Sequence, residues 1–376
     1  MRFAVLADDL TGSNASAGDL AMGIGRPVSV LHTLPRTLDG LFVLNSRSRE
    51  DSSRSALIGP WVNHLWRAGY RDFDKRIDTT LRGPGPMELN LLIRSLPEDP
   101  WVGVVAAYPS AGRTTRDGRQ YLYERPVSEA LSEVAIDDLG PYLFPDGPMP
   151  VKIRRELLHQ DIAPLLASLT AARRVCFDVG DEEDLSRVGR ILHRIRKSMS
   201  GTMVTVSSGA LLRYYPGRIP ERIAVIVGSP TATNLAQIEY LCQRRPIYDH
   251  FLGDPIVFSD LPDVVLLHSG RQPIQAEARQ PISRSLAESA ANRLLELEQQ
   301  GWTPERFIIT GGEMAQAFLD QVEANAVEIL RLPSPLVGQG VIRGGAYSGC
   351  EIVTKGGLVG DRQLLHQLVL APAIGE

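Results

Sequence analysis

The sequence predicts an α/β protein of two domains, each with a mostly parallel sheet flanked by helices. Three observations carry this. Short, continuously apolar runs recur along the chain, as they do in strands buried on both faces. Amphipathic helical stretches separate many of them, the alternation that builds βαβ units. The length, 376 residues, exceeds the usual size of one domain.

In chain order the strand-like runs are FAVLA, PVSVL, LFVLN, FDKRI, WVGVVAAY, RRVCFDV, TMVTV, RIAVIVG, DVVLLH, RFIIT and EIVTK. Helical patterning covers 54–69, 86–96, 153–169, 182–198, 231–243, 284–300 and 312–321. The stretch 207–222, SSGALLRYYPGRIPER, ends in Gly, Pro and Arg before a strand begins at Ile223. It is the expected linker, centred near residue 218, which gives domains 1–218 and 219–376. The net charge is −4 with no long run of either sign, which argues against a nucleic-acid or membrane-surface role. No apolar stretch is long enough to span a bilayer, and Asp8 and Asp9 interrupt any signal-like core. Cys176, Cys242 and Cys350 are far apart and form no CxxC pair. Neither a zinc site nor a disulfide framework is suggested, and the cytoplasm is the expected location.

In parallel sheets function collects at the carboxyl ends of strands, so the residues just past each strand matter most. FAVLA runs into Asp8 and Asp9, then Thr11, Gly12 and a series of small residues. Acids there can take a proton from a hydroxyl, hold Mg²⁺ or bind a polyol. Slim residues would let a ligand reach backbone N–H groups; the plainer alternative is a helix cap. LFVLN is followed by Ser48 and Arg49, an anion contact or a solvated cluster. FDKRI belongs to a crowded stretch holding Lys75, Arg76, Asp78, Thr79, Thr80 and Arg82 before Gly83 and Pro84. Cations, an acid and hydroxyls in one turn suit a small hydroxylated anion, although a local Asp–Arg pair would explain them too. After WVGVVAAY, Arg113, Thr114, Thr115 and Arg116 lie in a Gly-bounded loop.

The second half changes character. Ser229, Thr231 and Thr233 follow RIAVIVG; Gly311, Gly312 and Glu313 follow RFIIT; Gly356, Gly357 and Gly360 follow EIVTK. Strand, small-residue turn and helix, met three times, suggest a polyphosphate site. No P-loop motif is present. GQGVIRGG at 338–345 has the wrong glycine spacing for a dinucleotide fold and no clear strand before it. The seven histidines show no metal-ligand spacing, and GxSxG is absent.

Taken together, ADDLTGSNASAG, KRIDTTLRGP, YPSAGRTTRDG, VGSPTATNLAQIEYL, TGGEMA and TKGGLVGD resemble, in order and spacing, the four-carbon acid sugar kinase family. That family includes D-threonate, D-erythronate and 3-oxo-tetronate kinases, and the likeness spans nearly the whole chain. It implies an N-terminal domain for the sugar acid and a C-terminal domain for ATP, with the active site in the interdomain cleft. It implies Asp9 or Asp8 as the residue that orients or deprotonates the acceptor hydroxyl, with Asp78 as the competing base. Lys75, Thr79, Arg82, Arg49 and Arg113 would hold the acid or steady the transferred phosphoryl. Ser229, Thr231, Gly311, Gly312, Glu313, Gly356, Gly357 and Gly360 would cradle ATP, with Mg²⁺ bridging its phosphates. A homodimer is a further implication.

The chain departs from the family pattern. Ala15 stands where an Asp is usual, Thr79 where Ser is usual, and Glu313 and Met314 where Asp and Thr are usual. Val359 replaces a Phe, Gly356 a Ser or Ala, and Asn45–Arg49 falls where many members show Asp-Thr-x-Ser-Arg. The lost carboxylate at Ala15 implies a divergent member with a changed acid. The alternatives are a non-catalytic small-molecule sensor that kept the fold, which would bind without turnover, and a nucleotide-independent aldolase or isomerase. The glycine turns speak against the last.

Overall fold

The computed structural model describes residues 2–35, 37–38, 40–160, 163–228, 230–244, 247–251, 262–270 and 279–374. They fall into two compact units that divide between Ile219 and Pro220.

Unit 1 is built on strands β1 (Phe3–Ala7), β2 (Ser29–Leu31), β3 (Leu41–Asn45), β4 (Asp72–Arg76), β5 (Trp101–Val105), β6 (Arg113–Arg116), β7 (Arg119–Leu122), β8 (Arg125–Pro126), β9 (Val151–Ile153), β10 (Arg174–Phe177) and β11 (Met203–Ser207). Eight of them form one sheet in the order β2-β3-β1-β4-β11-β5-β10-β9, and every neighbouring pair is parallel. Alternation along β1 explains its uniform apolarity. Phe3, Val5 and Ala7 enter the core on one face, while Ala4 and Leu6 enter the core on the other. Each large apolar side chain buried this way contributes roughly 1.5–3 kcal/mol.

Unit 2 contains β12 (Ile223–Val227), β13 (Tyr248–Phe251), β14 (Val264–His268), β15 (Arg306–Thr310), β16 (Ala326–Ser334), β17 (Val337–Arg343) and β18 (Glu351–Lys355). Their order is β13-β14-β12-β15-β18-β17-β16. The first five run parallel, and the hairpin β16–β17 adds an antiparallel edge. Among the described residues no helix is long and apolar enough to cross a membrane.

Several expectations need correction. The helix expected over 153–169 is two, Arg155–Leu158 and Ala163–Ala171. Pro164 lies in the first turn of the second, the part of a helix that accommodates proline. Much of the expected linker is core: Leu211, Leu212, Tyr214 and Tyr215 are buried in unit 1. Arg113–Arg116 is not a loop but the first strand of a three-stranded antiparallel sheet, β6-β7-β8. GQGVIRGG, expected to lack strand context, begins inside β17.

Candidate functional site

All eight strands of the unit 1 sheet end on one edge, and the chain reverses its direction of travel across the sheet between β1 and β4. Loops that leave the two strands at such a switch point frame a crevice. Asp8 and Asp9 leave β1; Ile77 and Asp78 leave β4. The loop after β3 brings Arg49 to the same place. It stays paired with β1 beyond the strand end, through Ser46 N to the Ala7 carbonyl (2.9 Å) and Arg49 N to the Asp8 carbonyl (3.1 Å).

Arg49 gathers the acids. Its Nε and Nη2 each donate to one oxygen of Asp8 at 3.0 Å, a bidentate pair. Its Nη1 donates to Asp9 Oδ2 at 2.5 Å and to Asp78 Oδ1 at 3.4 Å. Asp9 also caps the helix Leu10–Ile24, with Oδ1 accepting from Gly12 N at 2.6 Å. Asp78 Oδ2 accepts from the Thr80 hydroxyl and amide and from Arg82 Nε. Burial pushes the Asp78 carboxyl up, but the hydrogen bonds from Thr80 and Arg82 and the charges of Arg49 and Arg82 outweigh it, holding the group at about 2.

Beneath these groups lies a buried polar network. The Lys75 ammonium pairs with Glu88 Oε2 at 2.9 Å and donates to the carbonyls of Arg76 and Leu6. Glu88 Oε1 accepts from Ser48 (2.6 Å) and Ser55 (3.0 Å). Neither Lys75 nor Glu88 is exposed. The network fastens the residue next to Arg49, and so sets where Arg49 stands.

These placements show where the expected substrate-binding residues stand. Lys75 does not reach the surface, and its three protons have acceptors. Arg49 is committed to carboxylates. The slim start of the first helix leaves room for the protein's own Arg76: a Cβ on Gly12 would sit 2.6 Å from Arg76 Nε and 2.5 Å from Asp9 Oδ1. Thr79 is half-buried, and its carbonyl accepts from the buried Gln120, which also binds the Ala106 carbonyl and so pins the small sheet to this edge. Arg82 keeps an exposed fork, and Arg113 is half-buried with Nη1 on the Ala111 carbonyl.

Unit 2 places its glycine turns around its own switch point, between β12 and β15. Ser229 lies outside the described residues. Thr231 Oγ1 donates to the Gly357 carbonyl at 2.6 Å and accepts from Asn234 N at 3.1 Å, starting the helix Ala232–Arg244. Gly311 N donates to the Lys355 carbonyl at 2.8 Å, placing the second turn against the third. A Cβ on Gly312 would meet no atom within 4 Å, so space stands open at the start of the helix Gly312–Gln321. Glu313 is exposed in its first turn. At the centre is Lys355, whose ammonium donates to Asn234 Oδ1 (2.9 Å) and to the carbonyls of Gly356 and Val359. Burial lowers its pKa to about 8.

Comparison with known proteins agrees with this division. Residues 3–215 match the family described as a sugar-binding N-terminal domain, and residues 224–365 the nucleotide-binding C-terminal domain. The chain belongs to the four-carbon acid sugar kinase family. A D-threonate kinase of Bordetella bronchiseptica is 26% identical over 398 residues, covering 96% of this chain and 95% of the relative. A D-erythronate kinase of Heliobacterium modesticaldum is 26% identical over 426 residues, covering 95% and 94%. A crystal structure of a domain of unknown function from Bordetella bronchiseptica, a domain-swapped dimer with bound citrate, superposes with a TM-score of 0.70 over 98% of both chains. At 23% identity that likeness speaks for the fold.

In this member of the kinase family Glu88, Asn234 and Lys355 join the candidate site without having stood out in the sequence. Glu88 gave no signal, because an acid in a helix reads as surface. Lys355 is the last residue of its strand, just before the glycine turn that drew notice. For Mg²⁺, the described residues hold no group of three or more His, Cys, Asp or Glu placed to cage a metal ion. The strand-end acids of unit 1 are neutralised by arginine.

Proposed function

We propose that this protein is a kinase that uses MgATP to phosphorylate a hydroxyl of a four-carbon sugar acid. The observation that carries this is the convergence of Asp8, Asp9 and Asp78 on Arg49 at the switch point of unit 1, in a chain related to D-threonate and D-erythronate kinases.

Of the three acids, Asp9 is the one a substrate can reach: its side chain is 20% exposed, against 2% for Asp8 and 8% for Asp78. Asp9 accepts a hydrogen bond from the acceptor hydroxyl and fixes its oxygen in line with the γ-phosphorus. As the new O–P bond forms, the bond to the β–γ bridging oxygen breaks and ADP leaves. The hydroxyl proton passes to the Asp9 carboxylate and then to solvent. In a loose transition state the hydroxyl loses its proton late, so positioning counts for more than basicity. Asp78 serves poorly as a base, since its carboxyl is held at about 2; it holds Arg82 through Nε. The exposed Arg82 fork is left to neutralise charge on the transferring phosphoryl.

In unit 2 the turns at Thr231, Gly311–Gly312 and Gly356–Gly360 hold ATP through their remaining backbone N–H groups, those of Gly311 and Val359 being taken by the Lys355 and Gly356 carbonyls. An acid such as Glu313 in a first turn competes with phosphate for the positive helix end, which suits it to ribose hydroxyls. A homodimer is proposed by likeness to the domain-swapped relative, and light scattering on the eluted protein tests it.

A coupled ADP-release assay with MgATP against threonate, erythronate and their 2- and 3-oxo forms tests the kinase. Turnover with one acid is expected. Nucleotide and acid binding without turnover would favour a sensor, and absence of nucleotide binding would overturn the kinase reading.

A further inference from the structure

Arg76 ends β4 at the switch point, and it is buried, only 6% exposed. Its guanidinium lies against the first turn of the helix Leu10–Ile24, so close that a Cβ on Gly12 would come within 2.7 Å of Cζ. Yet it has almost nothing to bind. Nη1 donates to the Ile77 carbonyl, its neighbour in sequence. Nε is buried with no hydrogen-bond partner. Among the described residues no carboxylate stands within ion-pair distance of it, although the other cations at this edge are compensated: Arg49 by Asp8 and Asp9, Lys75 by Glu88, Arg82 by Asp78.

Asp74 acts on Arg76 only through longer-range charge, and a buried cation with no directly paired anion is costly, so proteins retain one where something supplies the anion. Here the unused donors of Arg76 lie beside a fifteen-residue helix. The helix start points its positive end the same way. Gly12 N and Ser13 N are taken by Asp9.

We infer that Arg76 is the anion-binding residue of unit 1, and that the carboxylate of the acid substrate supplies its missing partner. This rests on the kinase reading for the identity of the acid. Lys75 and Arg49, both nearby, are poorer candidates: all three Lys75 protons have acceptors, and Arg49 commits four of its five N–H donors to carboxylates. It also puts the acid end of the substrate beside Asp9, the group proposed to hold its hydroxyl.

The test uses the full-length protein and Arg76→Met, with Arg76→Lys as the conservative variant. The probes are sodium D-threonate and D-erythronate, each with the neutral polyol threitol and sodium chloride as controls, read by thermal shift and calorimetry without nucleotide. Wild type is expected to be stabilised by at least one acid. Arg76→Met should bind that acid about 30-fold or more weakly, Arg76→Lys should restore part of the loss, and MgATP binding should be unchanged. Ligand-free Arg76→Met should melt no lower than wild type, because an uncompensated buried charge has been removed. A clearly lower melting temperature would make Arg76 structural and overturn the assignment. So would acid binding that is equal in both proteins, or absent from wild type. Intact acid affinity with a lost kcat would overturn it in favour of the transferring phosphoryl. ATP turnover in wild type is measured separately, so failure of the kinase reading and failure of this assignment give different results.

Discussion

The two units bring different material to the same place in the same kind of sheet. At the carboxyl edge of unit 1 the functional groups are ionic side chains locked together: three carboxylates on Arg49, and Lys75 on Glu88 beneath them. At the carboxyl edge of unit 2 they are backbone groups, small residues and one lysine ringed by Asn234 and two carbonyls. Charged side chains fixed in a network discriminate between small polar molecules by position and number of hydroxyls and acids. Backbone N–H groups at slim turns donate to any chain of phosphate oxygens that comes close. On the proposed function the difference is that between a selective site and a generic one, and each can be broken in its own way.

The largest effect should come from the network under unit 1. Replacing Glu88 with Ala leaves the Lys75 ammonium buried without its counter-charge and frees Ser48 and Ser55. Breaking a buried pair from one side costs about 3–5 kcal/mol, which urea unfolding would read. Unit 2 should be untouched, and nucleotide binding by whatever protein remains folded should be that of wild type. A loss below about 1 kcal/mol, as for a surface pair, would mean that the network does not hold Arg49 in place.

Asp9→Asn comes next. Removing a group that orients and accepts the hydroxyl proton lowers kcat by roughly 10²–10³-fold, with MgATP binding unchanged. Asp78→Asn should act more weakly on kcat and through Arg82. Equal losses would return Asp78 to the role of base.

How far the sequence foretold this contrast depends on the physics of each part. The α/β class and strands such as Phe3–Ala7, Leu41–Asn45, Arg306–Thr310 and Glu351–Lys355 were legible, because a strand buried on both faces has to be apolar throughout. So were Asp8, Asp9 and Asp78 as a group of interest, since polar residues crowding a strand end have few reasons to be there. Partnership was not legible. Whether Lys75 or Arg76 points to the crevice depends on the pleat, which turns neighbours to opposite faces, and on Glu88 arriving from a helix further along the chain. The antiparallel strands of residues 326–343 were missed because β16 is a sheet edge, largely exposed, and lacks a continuous apolar run.

The same substitution made in both units sharpens the contrast. Gly12→Ala places a methyl 2.5–2.7 Å from Asp9 Oδ1 and the Arg76 guanidinium, whereas Gly312→Ala places one where no atom lies within 4 Å. The first should cost about 1–3 kcal/mol through overpacking and weaken acid binding. The second should leave stability within about 1 kcal/mol, because alanine is the better helix former, while weakening nucleotide binding. If Gly312→Ala binds nucleotide as wild type does, the open space at that helix start is not where phosphates lie.

The smallest effect concerns Lys355. Burial lowers it from 10.5 to about 8 in the folded protein. Between those two values the unfolded chain holds a proton that the native state has released, so stability rises with pH across that window. Below about 8 both states are protonated and the penalty of burying the ammonium is present in full. The urea midpoint of wild type minus that of Lys355→Met should therefore climb from about pH 8 to pH 10 and be flat from about pH 6 to pH 7.5. Bound ATP brings negative charge to the turns around Lys355 and favours its protonated form. Saturating nucleotide should then move the rise to higher pH. An unshifted rise would place the phosphates away from Lys355, and unit 2 would then be generic in its backbone turns without using the buried cation at their centre.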